Sequence, residues 1–212
     1  MFHVVGAGFA GVEAAWALAS RGVAVSLYEM RPVRFTPAHT TDKFAELVCS
    51  NSFKSKNPDS PAGQLKAEMQ ALGSVVLETA FEYEVPGGQA LAVDRDRFAS
   101  ALTSKVEGHP LISVERRDVL PADVEAWLGR GDRVVLATGP LTSPELAEWL
   151  ARLAGRQHLY FYDAVSPTVE ASSLDMDIVF AQSRYDKGEG DDYLNCPFDR
   201  ASYDAFVEAL VT

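Results

Sequence analysis

"FHVVGAGFAGVEAAWALASRGVAVSLYE", residues 2–29, is the stretch whose reading decides the fold. Phe2 to Val5 form a short apolar run of strand length. Gly6, Gly8 and Gly11 follow as G-x-G-x-x-G. From Phe9 to Ser20 the apolar residues recur at helical spacing, with Val12, Ala15, Leu18 and Ala19 on one face. Gly22 stands where a left-handed helix cap favours glycine. Ala24 to Tyr28 make a second apolar run that ends in Glu29. The spacing predicts strand, tight turn, helix and second strand in that order.

Each part has a physical task. Gly6 permits the sharp strand-to-helix turn, Gly8 lets the backbone approach a pyrophosphate, and Gly11 allows the helix to pack closely on the strand. The helix N-terminus offers unpaired N–H groups and a positive dipole end to phosphates. Glu29, 18 residues after Gly11, stands where an acid accepts hydrogen bonds from a ribose. An acid there disfavours a ribose 2′-phosphate, and so NADP, but does not separate FAD from NAD. "RVVLATGP", Arg133 to Pro140, reads as a later buried strand that ends in Ala-Thr-Gly. That ending is common where a flavoprotein chain returns to its FAD, which favours FAD over NAD. "GRG" and "GEG" lie in polar turns, so a single dinucleotide is expected.

Working outward, residues 30–60 lack regular periodicity for much of their length, and a loop that long inside a compact domain is usually functional or disordered. Ser60-Pro61 opens a helix to about Leu72, with Pro at its first position. "LAVD" reads as a short strand, and Asp94 as the cap of a helix from Arg95 to about Glu107. "LISVE" is strand-like, and Ser143-Pro144-Glu145 starts a helix that ends before Gly155. The alternation predicts an α/β fold: a Rossmann-like FAD-binding domain with a mostly parallel sheet over residues 1–156. After Gly155, "HLYFYDAVSPTVEA" reads as β, with Tyr160, Phe161 and Tyr162 as a buried strand. Residues 199–211 read as an amphipathic helix. Residues 157–212 are expected to begin a second, β-containing insertion or substrate domain that is cut short, because fifty-odd residues are few for a complete one.

The totals exclude other classes. Hydrophobic residues are 47% and charged residues 23% of 212, an ordinary globular composition. Two cysteines, Cys49 and Cys196, do not make a disulfide framework, and their scarcity fits a reducing compartment. No apolar run approaches the roughly 20 residues of a membrane span, and a strand-like run begins right after Met1. A cytoplasmic protein is expected. The four histidines, His3, His39, His109 and His158, have no metal-ligand spacing, so no metal site is expected. A net charge of -11 argues against a uniformly basic nucleic-acid surface. The charge is uneven, however. Residues 31–56 carry Arg31, Arg34, Lys43, Lys54 and Lys56 against Asp42 and Glu46, a net +3, whereas residues 163–212 carry a net -8. Any contact with a polyanion is expected from the basic segment.

Linked motifs carry a resemblance along Val4 to Leu210: "VVGAGFAGVEAAW", "LYEMRPVRFTPAHTTDKFAELVCSNS", "LKAEM", "ALAVDRDRF", "VVLATGPLTSPELA", "YFYDAVSP" and "SRYDKGEGDDYLNCP". They resemble the folate- and FAD-dependent tRNA (uracil-5-)methyltransferases. Related flavoproteins that modify the wobble uridine share the glycine motif but not "EMRP…AELVCSNS". The resemblance implies an enzyme that makes 5-methyluridine in the tRNA T-loop, with methylenetetrahydrofolate as carbon donor, FAD as the carrier of the one-carbon unit and NAD(P)H as reductant. It implies that Gly6, Gly8, Gly11, Glu29, Arg31 and Gly139 hold FAD. It also implies that Cys49 is a catalytic thiol close to the flavin ring. Members of the family are about twice this length, and their second catalytic cysteine, in a G-C-x-P context, falls beyond Thr212. Cys196, in "LNCP", reads as structural, and the isolated chain is expected to be inactive. Gln89 stands where the family has a glycine, a departure that costs energy if the backbone there has positive φ. A generic FAD- or NAD-dependent oxidoreductase, or a non-catalytic nucleotide-binding remnant, are the alternative readings.

Cys49 itself sits after an apolar stretch, and most such cysteines are small buried hydrophobes. A helical run from Lys43 to Val48 is expected to place it at a helix C-terminus. That end disfavours a thiolate, so Lys54, Lys56 or the flavin would have to offset it.

Overall fold

Val4 and Val5 point to opposite sides of one strand, and both are buried. That alternation sets the layers. The structure, a computed structural model, describes residues 1–155, 169–183 and 193–211. In chain order the first elements are β1 (Phe2–Val5), α1 (Phe9–Ala19), β2 (Val25–Glu29) and β3 (Ser52–Ser55). Next come α2 (Pro61–Ala71), α3 (Val75–Glu82), β4 (Glu84–Val85) and β5 (Ala90–Val93). They are followed by α4 (Arg95–Glu107), β6 (Ile112–Arg116), α5 (Pro121–Gly129), β7 (Arg133–Leu136) and α6 (Pro144–Leu153). Beyond residue 168 lie β8 (Phe180–Ala181), β9 (Leu194–Asn195) and α7 (Arg200–Val211).

Four strands form a parallel sheet in the order β6-β2-β1-β7. Val4 lies opposite Leu27 on one side and Val135 on the other. The fold is Rossmann-like, as the opening strand–helix–strand predicted. One face of the sheet packs Val4 and Leu27 with Val12 and Ala15 of α1, Val75 of α3, and Phe98 and Leu102 of α4. The other face packs Val5 and Tyr28 with Val124 and Trp127 of α5 and Leu146 of α6. His3 is buried there, stacked on Trp127 at 4.3 Å, with Nδ1 3.0 Å from the Tyr28 hydroxyl. The chain leaves β1 towards β2 on one side, and β7 takes the other. Open α/β sheets bind ligands at such a switch point, beyond the carboxyl ends of the strands.

The caps follow the sequence. The Asp94 carboxylate accepts from the Arg97 N–H at 3.1 Å, and the Ser60 hydroxyl from the Gly63 N–H at 3.1 Å. Gly88 takes φ +58, while Gln89 beside it stays out of the positive-φ region. The Gln89 departure therefore carries no backbone cost.

Other expectations need correction. "LAVD" is β5, but it belongs to a separate antiparallel sheet, β3-β5-β4. Strand β3 lies inside the stretch that looked irregular, because a register shift between Ser52 and Ser55 breaks its alternation. Helices α3 and α5, of 8 and 9 residues, are additional to those expected, each too short for apolar spacing to single it out. No helix covers 43–48. Ala45 there takes φ +48, which breaks any helix, and its N–H donates to the Ala7 carbonyl at 2.9 Å. The strand expected at Tyr160–Tyr162 and the boundary near 157 lie outside the described residues. Helix α7 forms as predicted, with Tyr203, Phe206 and Leu210 exposed.

The +3 segment does not present a free basic face. Arg31 is 2% exposed between Glu29 and Glu46. Arg34 pairs with Asp118 and Glu145, Lys43 with Asp96, and Lys56 with Glu84. Of the five cations, Lys54 alone has no ion pair among the described residues. It is exposed and takes φ +64. Among the described residues, no helix is long and apolar enough to cross a membrane.

Candidate functional site

At the switch point the three glycines do different jobs. Gly6 takes φ +96, and a Cβ there would meet the Ala137 carbonyl oxygen at 2.6 Å. A Cβ on Gly11 would sit 1.7 Å from the Gly6 carbonyl oxygen, so helix and turn touch through bare backbone. A Cβ on Gly8 would meet nothing within 4 Å. Gly8 therefore leaves open space at the N-terminus of α1, where Phe9 and Ala10 line a cleft of about 340 Å³. The first N–H groups of a helix lack intrahelical partners, and the helix dipole favours an anion beside them.

The cleft runs from Gly6 and Gly8 to Glu29 and Arg31, with Thr138 and Gly139 after β7 on its far wall. Six sequence-predicted residues thus meet in one place: Gly6, Gly8, Glu29, Arg31 and Gly139 line the cleft, and Gly11 packs behind it. Gly139 takes φ +64 and leaves room on the cleft side, with nothing within 4 Å of a Cβ.

Glu29 is 5% exposed. Its Oε1 accepts from the Arg31 N–H at 3.0 Å and from Arg31 Nε at 2.8 Å, and Oε2 accepts from the Ala7 N–H at 3.0 Å. A carboxylate offers about four acceptor positions. Oε1 is filled, and Oε2 keeps one for a hydroxyl donor. Burial alone would raise this carboxyl. The hydrogen bonds and charge of Arg31, with the Ala7 N–H, outweigh burial and hold it below its ordinary value of 4.5. Arg31 is the buried tie of the wall: Nη1 also donates to Glu46 at 2.8 Å and to the Thr41 carbonyl at 3.1 Å.

A carboxyl held low in the folded state stabilises the protein fully above its unfolded value, and the stabilisation is lost as pH falls through the folded value. Glu46 is also held low: the hydrogen bonds of Thr40 and Thr41 overcome its burial. The two carboxylates should therefore share an acid limb below about pH 4.5. Glu29→Gln sets an amide N–H against the donors of Ala7 or Arg31 and leaves Arg31 with one partner fewer. It should cost about 3–5 kcal/mol at pH 7 and flatten the acid limb. Urea unfolding at pH 7 and pH 4 checks both effects. An unchanged pH slope would contradict this reading of Glu29.

His39 was set aside in sequence for want of metal spacing, yet it lines the cleft. The Thr36 hydroxyl oxygen accepts from the N–H groups of Ala38 and His39, at 3.3 Å each. Its own proton is therefore free to go to His39 Nδ1 at 2.6 Å. That places the imidazole proton on Nε2. Burial, then the charge of Arg31, lower the His39 pKa and keep the ring neutral at pH 7. Thr36 also lines the cleft; it lies in the "LYEMRPVRFTPAHTTDKFAELVCSNS" motif, which marks the stretch but not this side chain. Arg117 lines the cleft too and lies in none of the quoted motifs.

Cys49 is exposed and not disulfide-linked, as is Cys196. Val48 lines the cleft, but Cys49, one residue on, does not. With no helix over 43–48, the helix-end penalty on a Cys49 thiolate does not apply. Among the described residues, no group of three His, Cys, Asp or Glu could hold a metal ion.

Comparison with known proteins gives the family. The family described as glucose inhibited division protein A matches residues 1–212. The chain is 51% identical over 210 residues to a Listeria innocua protein named methylenetetrahydrofolate–tRNA-(uracil-5-)-methyltransferase TrmFO, covering 99% of this chain and 46% of that one. Proteins of the same name from Parasynechococcus marenigrum and Phenylobacterium zucineum are 52% and 50% identical, again over 99% of this chain. In these two relatives the match covers 44% and 45% of the length, so the chain spans a little under half of each. With the glycine turn, the acid of β2 and a match over all of residues 1–212, the chain belongs to the glucose inhibited division protein A family.

Proposed function

We propose that the cleft holds FAD and that the chain is the cofactor-binding part of a cytoplasmic folate-dependent tRNA (uracil-5-)methyltransferase. In this reading the protein forms 5-methyluridine in the tRNA T-loop, with methylenetetrahydrofolate as carbon donor and NAD(P)H as reductant. The observation that carries the cofactor is the open space at Gly8, beside a helix N-terminus and across from the remaining acceptor of Glu29 Oε2. The reading of the reaction is supported by identity near 50% along nearly the whole chain to relatives bearing that name.

The residues divide the work. Gly8 and the first N–H groups of α1 bind the pyrophosphate, Glu29 Oε2 accepts from a ribose hydroxyl, and Gly6 and Gly11 hold the turn that makes both possible. Arg31, in the cleft wall, pairs with Glu29 and Glu46 and holds the Glu29 carboxylate in place for the ribose. Gly139, at φ +64, lets the backbone after β7 come close. Bound FAD would supply two-electron reduction and a nucleophilic ring nitrogen. In this reading the Cys49 thiol, exposed and outside the cleft lining, holds or moves a proton at Sγ during the reaction.

Two measurements test this. Purified protein should be yellow, with about one FAD per chain, and a colourless protein that binds NAD would favour the generic dehydrogenase. The 212-residue chain alone, given T-loop RNA, methylenetetrahydrofolate and NAD(P)H, should show only background methyl incorporation. Loss of one member of a catalytic unit removes nearly all of its effect, and this chain spans a little under half of the length of the relatives it matches. Robust turnover by the isolated chain would overturn this expectation and give Cys196 a role.

A further inference from the structure

Five groups form a closed ring around the cleft wall. The Ala7 N–H donates to Glu29, Arg31 donates to Glu29 and to Glu46, and Ala45, next to Glu46, donates its N–H back to the Ala7 carbonyl. Glu46 is the hub on the loop side. Its Oε1 accepts from the Thr40 N–H and hydroxyl, both at 3.0 Å, and its Oε2 from the Thr41 N–H at 3.2 Å and Arg31 Nη1 at 2.8 Å. All four acceptor positions of the carboxylate are used. Ala45 is 1% exposed and held at φ +48. A non-glycine residue keeps that conformation only where its surroundings over-determine it. Two and three residues on stand Leu47, packed on the main core, and Val48, which lines the cleft; Cys49 comes next.

We infer that Glu46 is a positioning residue that couples the dinucleotide cleft to the Cys49 segment through this ring. The inference rests on reading the cleft as the cofactor site. A ligand that engages Glu29 Oε2 and the glycine turn stiffens Ala7, Glu29 and Arg31. Glu46 carries that order into residues 44–49. Without its four acceptors, the strained Ala45 conformation loses its restraint, and the loop relaxes away from the glycine turn.

The test uses the two cysteines of one molecule. Iodoacetamide labelling followed by peptide mass spectrometry gives separate rates for Cys49 and Cys196, and Cys196 serves as the internal standard. In Glu46→Gln one amide N–H must face a donor that the carboxylate accepted. The Cys49 rate should shift by about 5- to 150-fold, the range of a coupling through one element, while the Cys196 rate stays put. In the unmodified protein, saturating FAD should change the Cys49 rate. In Glu46→Gln, FAD should still bind, read by quenching of its fluorescence, but should no longer change that rate by more than about 2-fold. An unchanged Cys49-to-Cys196 ratio in the variant without FAD overturns the inference. A variant that no longer binds FAD at any concentration also overturns it, by making Glu46 a binding residue. If the unmodified protein binds no FAD while the ratio without FAD shifts, the cofactor reading fails and the loop restraint stands. Thr40→Val removes one of the four hydrogen bonds and should shift the ratio in the same direction by less. It decides the matter if Glu46→Gln does not fold.

Discussion

Gly8→Val is expected to give a folded protein without bound flavin, and Gly11→Val a protein that does not fold. The two glycines stand three residues apart in one motif, and their surroundings differ completely. A Cβ at Gly8 enters open space, and the backbone there, φ -72 and ψ -173, suits any residue. Replacing a glycine N-cap with valine should cost no more than about 1 kcal/mol. The valine methyls would occupy the approach to the α1 N-terminus, so dinucleotide binding should fall below detection. A Cβ at Gly11 would lie 1.7 Å from the Gly6 carbonyl oxygen, and both partners are backbone that holds the sheet. Neither can move without opening the turn at Gly6. The expected loss is more than about 4 kcal/mol, a large part of the about 5–15 kcal/mol that holds a domain together. Thermal melts and flavin absorbance on the two variants, made side by side, check both statements. A yellow Gly8→Val protein would place the cofactor elsewhere.

Cys49→Ala, in a chain of the relatives' full length, should abolish formation of 5-methyluridine and leave flavin content unchanged. Cys49 is exposed and does not line the cleft, so its loss should not disturb the cofactor site. A positioned proton carrier contributes about 10²- to 10⁴-fold, and turnover should fall by at least the lower figure. Single-turnover methylation of T-loop RNA, with bound FAD measured in the same samples, provides the check. Turnover within a few-fold of the unmodified enzyme, flavin intact, would make Cys49 an ordinary surface cysteine.

The opening strand, turn, helix and strand were legible because local chemistry determines them. Gly6 and Gly22 are needed for positive φ, Glu29 ends a buried strand, and Val12, Ala15 and Ala19 repeat at helical spacing. Asp94 and Ser60 announced their helices as caps do, through side chains that reach only three residues. From these the Rossmann-like class and the cleft at Gly6, Gly8, Glu29 and Gly139 could be read before any coordinate. What failed was non-local. Lys43 to Val48 has acceptable helix formers, yet Ala45 is pulled to φ +48 by a hydrogen bond to Ala7, 38 positions earlier. Strand β3 pairs with β5 across a bulge, and no period-2 pattern survives such a shift. The basic segment looked like a polyanion surface because a linear count cannot see Glu29, Asp118, Glu145, Asp96 and Glu84 arriving from elsewhere to pair with it. His39 and Glu46 gained their places in the cleft wall the same way. The sequence by itself determined the nucleotide-binding turn, since that turn depends on residues within one βαβ unit. Only the tertiary structure decided how the Cys49 loop is held, since its partners are brought together by the sheet.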